Sequence, residues 1–148
     1  MVRRDGTITG FVVHFRKVAM SFDWSEYLNI ARELAGQPMA LSSAEAKKRC
    51  AISRAYYAAF CSARNYLRDK DNDPNIPVGG DVHGYVRRQF KTSKDKVRRE
   101  VGEDLARLVA KRNLADYEDD IGVLPDLAGE THLALNWSQE VISDLAKL

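Results

Sequence analysis

Metal-ligating residues are scarce in this chain, which holds two cysteines and three histidines (His14, His83 and His132) among 148 residues. None falls in a His-Glu-x-x-His or Cys-x-x-Cys arrangement, which argues against a structural zinc or a zinc hydrolase. Two cysteines make no disulfide framework. If Cys50 and Cys61 share a helix, their spacing puts them about 16 Å apart, too far to bridge. The expectation is a reducing, cytoplasmic setting. No apolar run is long enough to span a bilayer. Walker-type, GxGxxG and GxSxG loops are all missing, so no cofactor is expected, and there is no internal repeat or low-complexity tract. The contiguous carboxylates Glu118, Asp119 and Asp120 read as a solvated turn at a helix end rather than a cation site.

What is present suits a single domain with a real core. Hydrophobic residues make up 45% of the chain, which excludes disorder throughout. The net charge of +2 hides an asymmetry: His83 to Arg112 carries a net +6, and Asn113 to Leu148 a net −7. Residues 1–19 read differently from the rest. Thr7 to Phe15 looks like a short strand with nothing obvious to pair with. The expectation is that 1–19 is an extension, that Met20 is the natural start, and that 20–148 is the domain.

After residue 20 the pattern is helical. Asp23-Trp24-Ser25-Glu26 resembles a capping box opening a helix to about Ala35, closed by Gly36 and Pro38. Ser42-Ser43-Ala44-Glu45 opens a second helix to about Lys70, with Ile52, Ala55, Tyr56, Ala59, Ala63 and Leu67 on one stripe. Phe60 also reads as core. Asp71 to Gly80 is a loop by composition. A short helix from about Val82 to Phe90 precedes a long one from about Lys94 to Glu118. A last helix begins near Pro125, with Leu127, Thr131, Leu135, Trp137, Val141 and Leu145 available for its buried side. The expected fold is an all-α bundle of four or five helices.

The long fourth helix holds the main anomaly. Val97, Val101, Leu105 and Leu108 recur at steps of three and four, and the next position on that stripe is Arg112. A guanidinium is costly to bury unpaired, so it needs a partner. Asp116 lies one turn on, at i,i+4 reach. Asn113 and Tyr117 are also four apart, on the adjacent face. From these residues alone, Arg112 is either half of a structural or interface salt bridge with Asp116, or an anion-binding cation.

These residues resemble the HEPN domain family, whose signature is an Arg, usually followed by Asn, with a His four to six residues beyond. The resemblance is closest to the branch reading Arg-x-x-Ala-Asp-Tyr, here Arg112 to Tyr117. The stretch Ser53 to Arg64 is similar to that branch's Arg-Ala-Tyr-Tyr-Ala-Ala-Phe helix. His83-Gly84-Tyr85-Val86, with Phe90, looks like its His-Ser-Gly-Val segment. Together the resemblance covers roughly Asp23 to Leu148.

The resemblance implies a homodimer in which the motif helices of two subunits meet at a cleft. There, metal-independent RNA cleavage uses a base on the 2′-hydroxyl and a cation on the phosphate. Arg112 suits the cation's role, and Asn113 would orient either it or the phosphate. The family's His position is Tyr117, however, and a phenol, titrating near about pH 10, is a poor general base. His83 is the candidate replacement if its helix packs beside the motif. The resemblance also implies a nucleotidyltransferase-type partner in a toxin–antitoxin or defence module, with nucleotidylation of a Tyr near the motif as one mode of control. The expected function is binding of single-stranded RNA or of such a partner; the alternative is an active endoribonuclease using Arg112. Candidate catalytic residues are Arg112, Asn113 and Tyr117. Candidate binding residues are Asp116, Arg54, Tyr57, Arg64, His83, Arg87 and Arg88.

Arg87, Arg88, Lys91, Lys94, Lys96, Arg98 and Arg99 lie in a short window with Tyr85 and Phe90. Such a patch either tracks a phosphate backbone or is a solvated face complementary to an acidic one. Arg54, Arg64 and Arg68 on the second helix could extend the same surface.

Overall fold

The structure, a computed structural model, describes residues 22–37, 41–120 and 126–148. The expected strand at Thr7 to Phe15, the Met20 boundary, Pro38 and Pro125 lie outside these. Five helices form a bundle: α1 (Glu26–Leu34), α2 (Ala44–Asp69), α3 (Val82–Lys91), α4 (Lys96–Tyr117) and α5 (Leu127–Leu145). There is no strand among the described residues. None of the helices is long and apolar enough to cross a membrane.

Three of the helices begin at side-chain caps. Ser43 and Asp95 are extended N-caps whose side chains accept from Ala46 N and Arg98 N. Asp126 caps α5 through Gly129 N. At α1 the expected capping box is not made. Ser25 makes no side-chain cap bond; Asp23 instead accepts from Ser25 N, and Glu26 reaches forward to Ser43 N. Gly36 ends α1 at φ 71°, the left-handed conformation that glycine adopts freely.

α2 is the central element and packs against every other helix. Its expected stripe, Ile52 through Leu67, is buried together with Phe60. On α4, Val101, Leu105 and Leu108 are buried, while Val97 is only half-buried. α3 and α4 approach closely at Gly102, where an added Cβ would lie 2.5 Å from Lys91 N. On α5 the buried positions are Ala134, Ser138 and Val141, and Leu135 is 50% exposed. This corrects the expected burial of Leu135: the inward stripe of α5 runs through its small residues, because α2 and α4 both crowd it. Ser138 returns its hydroxyl to Ala55 O at 2.8 Å.

One buried charge fixes the end of α4. Arg49 is fully buried on α2, and its Nη1 donates to Ala115 O and Glu118 O at 2.9 and 2.8 Å. Its Nε pairs with Glu45 at 3.0 Å. Its guanidinium lies 4.2 Å from the Phe22 ring centroid and 5.3 Å from that of Trp24. The last turn of α4 contains no basic residue of its own, so α2 supplies the cation that its carbonyl end favours. Tyr27 also donates to Ala115 O, while Phe22 N and Trp24 Nε1 bond to Asp119. Arg49→Met should cost on the order of 3 kcal/mol, because it removes the charged donor from Glu118 O, leaves Ala115 O with Tyr27 alone, and takes the cation from the end of α4. Urea denaturation tests this, and a loss below about 1 kcal/mol would show that those carbonyls find other partners.

Candidate functional site

The clamped end of α4 presents Arg112, Asn113, Asp116 and Tyr117 beside the middle of α2. Arg112 is mostly covered, with 18% of its side chain exposed. Its Nε lies 2.8 Å from Asp116 Oδ2, an ionic contact outside hydrogen-bond alignment. Nη2 donates to the Tyr57 hydroxyl at 2.8 Å, and Nη1 to Asn113 Oδ1 at 3.2 Å. The i,i+4 pair expected from sequence is therefore made. Three tyrosine rings surround the guanidinium, with centroids 5.9, 5.4 and 5.2 Å away for Tyr56, Tyr57 and Tyr117. Tyr117 is 65% exposed. Asp116 is held a second time, because Ser53 donates to the same Oδ2 at 3.0 Å.

α3 brings His83 into the same cluster. Its ring lies 4.1 Å from that of Phe60 and 6.2 Å from that of Tyr57. Nδ1 is 2.7 Å from the Tyr56 hydroxyl. Burial, followed by the positive charges of Arg112, Arg64 and Arg87, holds the imidazole below its ordinary value. Burial also pushes the Tyr56 phenol up to about 12, so Tyr56 keeps its proton at neutral pH. If neutral His83 donates from Nδ1 to Tyr56, Nε2 carries the free lone pair.

The remaining candidates divide. Arg54 is exposed, its guanidinium 5.1 Å from the Tyr57 centroid on that ring's other contact. Arg64 lies 5.8 Å from the Phe60 centroid and bonds to Asn65. Arg87 contributes through its charge on His83. Arg88 is not brought in; it lines a separate depression with Tyr85, Gly84 and Pro77. The expected basic patch is also largely used within the fold. Lys91 pairs with Glu103, Lys96 with Glu100, and Arg98 forks onto Asp71 while lying over Phe90. Arg99 bonds to Ser93 O and Lys94 O, and Arg68 to Asp69. Phe90 is fully buried and has no face to offer a base. Of these, Lys91–Glu103 and the Arg98–Phe90 contact depend on how α3 folds back on α4, and Arg98–Asp71 on the loop before α3, whereas Lys96–Glu100 and Arg68–Asp69 are local.

The sequence reading missed Arg49, Ser53 and Tyr27 as the residues that position the motif. Arg49 carried the same signal as Arg112, a guanidinium on an apolar stripe one turn from Ile52 and Ser53. The exposed turn Glu118 to Asp120 gives Asp119 to Trp24. No group of His, Cys, Asp or Glu suited to a metal occurs among the described residues.

Comparison with protein-family profiles, curated proteins and solved structures finds no match to this chain. The functional reading therefore rests on the geometry.

Because the folded value of His83 is lowered, the unfolded chain takes up this proton first. The contribution of His83 to stability is intact above its ordinary value of 6.5 and is lost as the pH falls through the folded value. An NMR titration of the His83 ring should show a midpoint below 6.5, rising part of the way back in Arg112→Gln. A wild-type midpoint at or above 6.5 would contradict the placement of His83 among these cations.

Proposed function

We propose that the chain is a HEPN-like protein that acts as a homodimer and binds single-stranded RNA at the Arg112 cleft without cutting it. The observation that carries this reading is the fixed, partly exposed guanidinium of Arg112 beside the exposed ring of Tyr117. A held guanidinium can grip phosphate oxygens as a fork, and an exposed ring gives an unpaired base a surface to stack on. Arg54, Arg64 and Arg87 continue the positive surface along α2 and α3. The site lacks an imidazole at position 117, and a phenol does not replace one as a base.

A second reading, a metal-independent endoribonuclease, is favoured by one observation: His83 sits within the same cluster and is held neutral. In that reading His83 Nε2 takes the 2′-hydroxyl proton and Arg112 steadies the phosphate. A nucleotidyltransferase-type partner, implied by the resemblance, would use the same cleft, with Tyr117 as the accessible acceptor.

Metal-free incubation with labelled single-stranded RNA separates these readings. RNA should stay intact, and Arg112→Ala should weaken binding by about 10-fold to 100-fold while lowering the salt slope by about one. Cleavage by the wild type that is lost in both Arg112→Ala and His83→Ala would establish the ribonuclease instead. If RNA is neither bound nor cut, co-purification with a co-expressed nucleotidyltransferase from a neighbouring reading frame becomes the deciding measurement.

A further inference from the structure

Next to Arg112 lies a groove of about 390 Å³ between α1, α2 and the end of α4. Ile30, Ala31 and Leu34 supply apolar walls, Tyr117 stands at one side, and Asp116 and Arg54 are its charged groups. Leu34 is 77% exposed at the groove lip. Asp116 is unevenly engaged. Ser53 and Arg112 both contact Oδ2, and Oδ1 takes part in neither contact. A carboxylate can accept several hydrogen bonds, so the groove contains an acceptor with remaining capacity amid apolar walls.

The walls and the acceptor together specify a ligand. It must be flat and apolar on its faces, to lie between Leu34 and the Tyr117 ring. It must present N–H donors at one edge, to meet Asp116. A linked anion suits it as well, because Arg54 lines the groove and Arg112 lies against Asp116 beside it. An unstacked nucleobase in a phosphate chain meets all three conditions. Among the bases, guanine alone carries two adjacent donors, N1–H and N2–H, directed the same way along its pairing edge. Uracil offers one imide N–H there, while adenine and cytosine offer an amino group beside an acceptor nitrogen that a carboxylate repels.

We infer that this groove takes an unstacked guanine of single-stranded RNA, with Asp116 accepting from its N1–H and N2–H edge and Tyr117 stacking on its face. The inference rests on the RNA-binding reading above and adds a base preference to it. Asp116 then has two tasks: Oδ2 holds Arg112 and Ser53, while Oδ1 and the remaining lone pair of Oδ2 accept from the two N–H groups of the base.

Fluorescence anisotropy with labelled RNA hexamers tests it, using uridine throughout except for one central A, C, G, U or inosine. The guanine hexamer should bind at least about five-fold tighter than the others. Inosine, lacking the 2-amino group, should fall between guanine and adenine. Ala31→Trp fills the groove from an exposed position, and should erase the guanine preference. Asp116→Asn should weaken every hexamer and flatten the ranking. Equal affinity for all hexamers, with binding still sensitive to Arg112→Ala, would overturn the guanine site and leave the RNA reading standing. A guanine preference that survives Ala31→Trp would also overturn it. If no hexamer binds, the RNA reading itself fails and the groove inference falls with it.

Discussion

The buried guanidinium of Arg49 is the contact on which the candidate site depends. It holds two carbonyls at the end of α4, and those carbonyls belong to Ala115 and Glu118, on either side of Asp116 and Tyr117. A charge placed in the interior is tolerable only where hydrogen bonds and an opposite charge compensate it. Here the compensation comes from Glu45, the negative end of α4, and the faces of Phe22 and Trp24. The same segment of chain supplies Tyr27 to Ala115 and Trp24 to Asp119. The start of the described chain and the first turns of α2 thus converge on one helix end and hold it still.

That fixed end explains the ordered polar cluster above it. Asp116 is reached by Ser53 from α2 and by Arg112 from its own helix, and Arg112 in turn donates to Tyr57. The cluster therefore spans two helices through four side chains, and α3 closes it with His83 against Phe60. Such a network loses most when one member is removed, because the others are left partly buried and unpaired. The partly exposed rings and cations at its surface are the basis of the RNA-binding proposal.

The secondary structure was legible because its signals are local. The apolar stripe of α2, the opening Ser42–Ser43 pair, and Gly36 after α1 each act within one or two turns, and the helices fall within a few residues of their expected bounds. The Arg112–Asp116 pair was legible for the same reason, since i,i+4 spacing brings those side chains together in any helix. Leu135 was misplaced because hydrophobicity favours the larger side chain, whereas the packing distance between helices selected Ala134. Of the two readings of the basic segment, a face complementary to acidic groups is the one the ion pairs match. It could not be read locally, because Asp71 reaches Arg98 and Glu103 reaches Lys91 only in the folded chain.

By itself, then, the sequence determined an all-α chain with a charged pair interrupting the core face of its fourth helix, because helix periodicity and caps act over a few residues. Only the tertiary structure decided that Arg49 closes that helix, that Tyr57 and His83 join Arg112, and that a groove opens beside Asp116. Those contacts join residues many positions apart, and burial, which sets their strength, exists only once the helices have packed.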